Sequence, residues 1–81
     1  MYARYTKRFL KSHQDVPIQI KRIFTQKLAF LLTNLRHPSL HAKKYDESNN
    51  VWQARVTRGW RFYFTIEKNV YRLDDIIPHP K

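Results

Sequence analysis

Residues 51–66 have the sequence VWQARVTRGWRFYFTI, and this stretch decides the fold. On either side of a short polar break, apolar side chains alternate with polar ones, which is the period expected of half-buried antiparallel strands. Bringing the two apolar sides onto one face places Ala54 opposite Phe62 and Val56 opposite Trp60. The stretch therefore predicts a β-hairpin with one face in a hydrophobic core.

This register predicts a three-residue loop at residues 57–59 and a pair of arginines on the outer side of the hairpin. The loop ends at Gly59, the only glycine in the chain, where we expect the left-handed backbone that such loops commonly need. On the polar face, Arg55 falls directly opposite Arg61. Like charges in that position destabilise a sheet, so the pair is better explained by a bound anion than by stability. Removing one of these arginines is then expected to leave the fold intact or slightly more stable.

The closing strand brings a histidine to the same face. Leu73 and Ile76 are three residues apart, so both point into the core only if a β-bulge lies between them at residues 74–75. With that bulge, Ile77 and His79 join the face that holds the two arginines. Two arginines and a histidine suit metal-free RNA cleavage, because arginines stabilise a charged phosphorane and histidine exchanges protons near neutral pH.

Two helices are predicted in the first half of the chain. Thr6 caps a short helix that ends at about Ser12. A longer helix begins with Pro17 in its first turn and is ended by Pro38. Its apolar residues recur at three- and four-residue spacing, namely Ile20, Ile23, Phe24, Leu28, Leu31 and Leu35.

Strands complete the predicted order. Residues 2–5 form a short strand, the segment after the long helix is irregular apart from a short strand at about residues 42–45, and a turn at residues 68–69 leads into a last strand over residues 70–77. The order β-α-α-β-β-β predicts one α+β domain over residues 1–81, with the N-terminal strand and a helical hairpin packed on a twisted antiparallel sheet.

The charge of the chain indicates the kind of partner. Sixteen Lys and Arg against six Asp and Glu give a net charge of +10 with neutral histidines, which suggests nucleic acid, an anionic membrane surface or an acidic protein. No apolar run is long enough to span a bilayer, and no apolar segment of a secretory signal follows Met1, so we expect a cytoplasmic protein outside the membrane. Cysteine is absent and the histidines lack metal-ligand spacing, so neither a metal nor another cofactor is expected.

Three segments resemble the RelE/ParE toxin superfamily. They are LRHPSLHAKK at residues 35–44, VWQARVTRGWRF at residues 51–62, and LDDIIPH at residues 73–79. More narrowly, they resemble the RelE-type messenger-RNA interferases of type II toxin–antitoxin modules. The resemblance implies a small toxin that enters the ribosomal A site and is neutralised by an antitoxin, which we expect to be acidic. It also implies metal-free cleavage of messenger RNA, in which the ribose 2′-hydroxyl attacks the adjacent phosphate.

The resemblance also implies roles for individual residues. Arg61 matches the strand arginine assigned to phosphate and transition-state contacts, Arg55 matches a basic position on the preceding strand, and His79 matches the C-terminal general acid or base. Lys43 and Lys44 match basic positions taken to contact RNA. Further candidates for RNA contact on the hairpin are Gln53, Arg58 and Tyr63.

Some positions depart from the family pattern and leave alternatives open. Ile77 stands where glycine is usual, and Gln53 stands where some members have lysine. One alternative is a ParE-like gyrase poison, which shares the fold but lacks the RNA-cleaving residues. Another is a catalytically inactive relative that only binds its antitoxin. Tyr63 is expected either to stack on a base or to contact Gln53 across the strands.

Overall fold

Two helices cover one face of a five-stranded sheet in the computed structural model, which describes residues 1–80. The helices are α1 (Lys7–Gln14) and α2 (Ile18–Thr33), and a 3₁₀ turn follows at Pro38–Leu40. The strands are β1 (Tyr2–Tyr5), β2 (Lys43–Asp46), β3 (Val51–Thr57), β4 (Trp60–Glu67) and β5 (Val70–Pro78). The predicted α+β class is confirmed, as is the order of an N-terminal strand, two helices and then strands. Four strands follow the helices, one more than the predicted β-α-α-β-β-β, because the short segment Lys43–Asp46 pairs with β3.

The strands lie in the order β1-β5-β4-β3-β2. Three neighbouring pairs are antiparallel, whereas β1 runs parallel to β5, with Tyr2 paired to Val70 and Tyr5 to Leu73. The sheet is therefore mixed rather than wholly antiparallel. The sequence does not reveal this pairing because β1 and β5 come from opposite ends of the chain, so no tight turn sets their relative direction.

Side chains next to the helices fix where they begin and end. The Thr6 hydroxyl accepts a hydrogen bond from the backbone N–H of Phe9 (3.1 Å) and donates one to the carbonyl of Leu73 (2.9 Å), which caps α1 and ties it to β5. Helix α2 ends at Thr33, before Leu35, the last residue of the predicted apolar repeat. Asn34 has extended backbone, and its side-chain oxygen accepts a hydrogen bond from the backbone N–H of Arg36 (2.9 Å). Within residues 1–80, neither helix is long and apolar enough to cross a membrane.

The hydrophobic core lies between the helices and one face of the sheet. The edge of the Phe24 ring on α2 meets the Phe62 ring on β4 at a centroid distance of 5.2 Å. The other buried members of the core are Phe9, Val16, Leu31, Leu40, Ala54, Val56, Phe64, Tyr71, Leu73 and Ile76. The opposite face of the sheet, which we call the outer face, is covered by no helix of residues 1–80.

The pairing of β3 with β4 agrees with the prediction in the middle of the hairpin. Ala54 lies opposite Phe62 on the core side, and Arg55 lies opposite Arg61 on the outer face. Both pairs follow from matching the apolar faces of the two strands. The hairpin therefore places two arginines side by side, as predicted.

Near the turn, the predicted register is wrong. The register shifts between Arg55 and Thr57, so Trp60 pairs with Thr57 and not with Val56. This bulge absorbs one residue and shortens the turn to residues 58–59. Gly59 does not adopt positive φ, so the left-handed backbone expected there is also wrong. Instead, its N–H donates to the side-chain oxygen of Thr57 at 3.2 Å.

The pairing of β4 with β5 contains the bulge predicted at residues 74–75. The register shifts there and leaves Asp74 without a partner on β4. As a result, Ile76 returns to the core with 1% of its surface exposed, and Ile77 lies opposite Arg61 on the outer face. The bulge therefore decides which residues of the closing segment reach the outer face.

Candidate functional site

A cleft of about 420 Å³ opens on the outer face, beside the β3–β4 turn. It brings together all three predicted catalytic residues, Arg55, Arg61 and His79, with two of the predicted RNA contacts, Lys43 and Gln53. His41 and Ala42 complete its lining, in which residues 1–80 place no carboxylate. The cleft therefore presents several cationic groups and two imidazoles to whatever enters it.

Arg61 is held in the cleft by the backbone of the neighbouring turn. Only 7% of the residue is exposed, and its Nη1 donates to the carbonyls of Thr57 (2.6 Å), Arg58 (3.0 Å) and Trp60 (3.0 Å). Burial lowers the pKa of this guanidinium, and the charge of Arg55 lowers it further. Arg61 is thus a preorganised cation that also fixes the shape of the turn.

Arg55 supplies the second cation of the cleft. Its Nε is buried and makes no hydrogen bond within residues 1–80. A buried donor without an acceptor costs about 1–3 kcal/mol, and the charge of Arg61 directly opposite adds repulsion. A phosphate oxygen in the cleft offers both the acceptor and the negative charge that Arg55 lacks.

His79 reaches the cleft because pairing continues one step past the end of β5. Its backbone N–H donates to the carbonyl of Gly59 at 2.8 Å. Strand alternation then puts its side chain on the same face as Ile77, two residues earlier. The imidazole is exposed beside two arginines, as expected of a group that exchanges protons with a bound substrate.

Three of the predicted RNA contacts lie outside the cleft, namely Lys44, Arg58 and Tyr63. Lys44 follows Lys43 in β2 and therefore points to the other side of the sheet, where its Nζ lies 5.5 Å from the centroid of the Trp52 ring. Lys43 therefore lines the cleft and Lys44 does not. Arg58 is exposed in the β3–β4 turn, and its carbonyl rather than its side chain contributes to the site, by accepting from Arg61.

Tyr63 is packed into the outer face and is not available for stacking on a base. Only 9% of it is exposed, the edge of its ring meets Tyr45 at 4.8 Å, and its hydroxyl donates to Oε1 of Gln53 at 3.2 Å. Burial raises the pKa of Tyr63, with a smaller contribution from Tyr45. Of the two predicted roles, the cross-strand contact with Gln53 is the one present.

His41 lines the cleft, although the sequence pattern assigned it no role after its spacing had argued against a metal site. The 3₁₀ turn before it is capped by Nδ1 of His37, which accepts from the backbone of Ser39 (3.2 Å), and is anchored by the fully buried Leu40. His41 then adopts left-handed backbone (φ 46°, ψ 42°), and the chain turns into β2. The sequence feature that could have indicated its place in the cleft is its spacing, since His41 precedes Lys43 by two residues and alternate residues of a strand share a face.

The rest of the outer face keeps its charges paired. Arg72 contacts Glu67 (2.6 Å) and Asp74 (2.8 Å), and Arg8 contacts Asp75 (3.1 Å). These carboxylates are therefore neutralised away from the cleft, and none of the described residues brings an acidic side chain to its lining. Among residues 1–80, no three side chains of the metal-ligating types cluster closely enough to hold a metal ion.

Comparison with known proteins identifies the fold. No protein-family profile and no curated protein sequence matches the chain. Among solved structures, the archaeal RelE–RelB complex from Pyrococcus horikoshii superposes with a TM-score of 0.78 at 16% identity, covering 95% of this chain and 92% of that one. The YoeB/ParE toxin from Agrobacterium tumefaciens gives 0.80 at 10% identity, covering 99% and 100%. The isolated RelE toxin of E. coli gives 0.79 at 15% identity, covering 99% and 85%.

These similarities cover nearly the whole chain, at sequence identities that establish the fold alone. The chain has the fold of the RelE/ParE toxin superfamily, as the sequence resemblance predicted.

Proposed function

We propose that the protein is the toxin of a type II toxin–antitoxin module and a RelE-type endoribonuclease that cuts messenger RNA on the ribosome. The observation that supports this best is the cleft in which Arg55, with its unpaired buried Nε, lies opposite Arg61 and beside His79. A cleft lined by cationic side chains, to which the part of the chain described by the structure adds no carboxylate, is suited to a phosphodiester. The fold shared with RelE structures supports the same reading.

In the proposed reaction, the ribose 2′-hydroxyl attacks the adjacent phosphorus. The O2′–P bond forms, the P–O5′ bond breaks, and the products carry a 2′,3′-cyclic phosphate and a 5′-hydroxyl. Arg55 and Arg61 stabilise the negative charge that develops on the phosphorane, and His79 exchanges a proton with the reacting oxygens. These side chains account for the reaction without a step assigned to a metal.

The ribosome enters the proposal because the cleft is small and open on a chain of 81 residues with a charge of +10. Such a charge favours binding to the phosphates of RNA but does not align one phosphodiester for attack. Alignment supplies a large part of the rate in intramolecular displacements, and we assign that part to the ribosomal A site. The protein is then expected to act in the cytoplasm.

The decisive experiment adds purified protein to a translation extract and maps the message by primer extension. We expect cuts in translated message and none in the same RNA without ribosomes. Arg55→Ala should cut about 10²–10³-fold more slowly. Arg22→Ala, which removes the same charge from an exposed site on α2, should cut like the wild type. Intact message with accumulated gyrase–DNA cleavage complexes would favour the ParE-like alternative. Neither activity would favour an inactive relative that only binds its antitoxin.

An acidic antitoxin is the second part of the proposal. The similar archaeal RelE structure is a complex with RelB. In this chain, the charge of +10 needs neutralising, and Leu10 and Ile18 leave 54% and 62% of their surface exposed on the helical hairpin. A partly disordered acidic segment that folds on binding could cover both the basic surface and these exposed apolar side chains.

Co-purification from the native host should recover an acidic protein whose affinity for the toxin falls as the salt concentration is raised. A neutral or basic partner, or affinity independent of salt, would contradict this.

A further inference from the structure

We propose that His37 is a positioning residue of the cleft. By capping the 3₁₀ turn at Pro38–Leu40, it fixes the segment of chain that brings Lys43 to a bound RNA phosphate. This inference rests on the proposed function and adds to it a residue that lies outside the cleft. His37 lies between the end of α2 and the turn, and its side chain contacts both.

The imidazole of His37 makes two different contacts. Its Nδ1 accepts a hydrogen bond from the backbone N–H of Ser39 (3.2 Å) and lies 2.9 Å from the Ser39 hydroxyl, so it is the unprotonated nitrogen of the ring. The ring also stacks face to face on Phe30 of α2, with centroids 3.9 Å apart and planes inclined by 5°. One side chain therefore caps the turn and joins it to the helix.

The capped turn leads directly into one wall of the cleft. The turn is anchored by Leu40, which is fully buried, and by Nζ of Lys27 on α2, which donates to the carbonyl of Ser39 (3.3 Å). The next three residues of the chain line the cleft in succession, namely His41, Ala42 and Lys43. Pairing with β3 begins only at the last of them. The turn is therefore where this wall is attached to the helical side of the fold.

Lys43 needs such an attachment because the other cations of the cleft repel it. Arg55 and Arg61 are fixed opposite each other on β3 and β4, inside the sheet. Lys43 is the first residue of β2, a four-residue edge strand whose register shifts between Lys44 and Asp46. Like charges in one small cleft drive each other apart, and a short edge strand with few pairs opens readily. The cap at His37 holds the segment against that repulsion.

Two substitutions of His37 separate the cap from the ring. His37→Phe keeps a ring that can stack on Phe30 but offers no acceptor to the N–H of Ser39. His37→Asn loses the stack but keeps the cap, because an asparagine side-chain oxygen accepts from the backbone N–H two residues further on. If the cap positions Lys43, His37→Asn should bind RNA like the wild type and His37→Phe should not. A residue that acts only through the packing of its ring would give the reverse.

Binding of a single-stranded RNA that cannot be cut measures the effect. The probe is a fluorescent RNA oligonucleotide with 2′-O-methyl groups, and its association constant is measured by anisotropy over a series of salt concentrations. Lys43→Ala should reduce the slope of log K against log salt by about 0.7, as expected for the loss of one phosphate contact on a single strand. His37→Phe should reduce the slope by a similar amount. The double variant should lose no more than either single variant, because both changes remove the same contact.

The matched control is Lys11→Ala, which removes a lysine from an exposed site on α1 and should keep the wild-type slope. If the wild type binds RNA but does not cut message on ribosomes, the proposed ribonuclease activity is overturned, and the binding series still decides the role of His37. An unchanged slope in His37→Phe or Lys43→Ala, or additive losses in the double variant, would overturn the positioning role. Failure of His37→Phe to fold, or a slope in His37→Asn as low as in Lys43→Ala, would also overturn it, because His37 would then be a structural residue.

Discussion

Replacing Arg61 by alanine is expected to reduce both activity and stability, and the loss of stability follows from the turn that this arginine holds. Its Nη1 donates to three carbonyls, and only 7% of the residue is exposed. The sequence alone suggested the opposite for stability, because it showed the repulsion between Arg55 and Arg61 but not these bonds. The three carbonyls change the sign of the expected effect.

The size of the effect can be worked from the contacts. Hydrogen bonds to a charged group contribute about 1.5–3 kcal/mol, and the three bonds share one nitrogen next to exposed turn residues, where water can replace part of them. Relief of the repulsion with Arg55 returns about 0.2–1 kcal/mol. The net loss in the free energy of unfolding is therefore about 1–2 kcal/mol. For a domain of this size, that lowers the melting temperature by roughly 4–16 °C.

Arg55→Ala is the matched comparison, since it removes the same charge from the opposite strand. The Nε of Arg55 has no hydrogen-bond partner among residues 1–80. Its removal therefore abolishes an unsatisfied donor and the same repulsion, and the melting temperature should stay level or rise. Cutting should fall by about 10²–10³-fold in either variant, as expected for loss of one donor to a developing oxyanion. Calorimetry and primer extension on the same preparations measure both quantities. The reasoning is refuted if Arg61→Ala melts at or above the wild type, or if Arg55→Ala melts well below it.

Three further predictions concern other parts of the molecule. Tyr63→Phe should cost about 0.5–1.5 kcal/mol through the lost bond to Gln53 and leave cutting unchanged; slower cutting at an unchanged melting temperature would show a direct RNA contact. Thr6→Ala should lower the free energy of unfolding by about 1 kcal/mol in urea titrations, because it removes the cap of α1, and no change would mean that the cap contributes nothing. Burial, and to a lesser degree Lys21, lowers the pKa of His13, so the unfolded chain binds its proton more readily than the native one. Stability should therefore fall as the pH drops below about 6.5, less steeply in His13→Gln, and an identical slope in both proteins would contradict this.

Strand alternation was enough to predict the cationic pair and the position of His79. The apolar period sets which side chains share a face, and a one-residue slip would have buried Arg55, so the register had little freedom. The same reasoning located the bulge in β5, because Leu73 and Ile76 are both apolar and three residues apart. These results required no knowledge of how the helices pack on the sheet.

Other features of the site depend on contacts that a sequence pattern does not encode. The bonds from Arg61 to the turn arise only once a bulge has shortened the loop, and two registers of that loop satisfy the same apolar pattern. The burial of Tyr63 depends on Tyr45, which comes from β2, a strand whose limits the sequence marked only weakly. His41 itself has left-handed backbone where the chain turns into β2. A rule that assigns such backbone to glycine does not predict this turn.

The bulge at Asp74 links the core to the cleft, because it adjusts both faces of β5 at once. Without the extra residue, Ile76 would face outward, and the side chain of His79 would be directed to the face that the helices cover. Asp74 is well suited to this position, since its carboxylate accepts from Thr65 (2.7 Å) and from Nε of Arg72 (2.8 Å) on the outer face. The contacts that hold the bulge therefore also keep this carboxylate paired outside the cleft. On this view, the proposed site depends on the outer-face ion pairs as well as on the residues that line it.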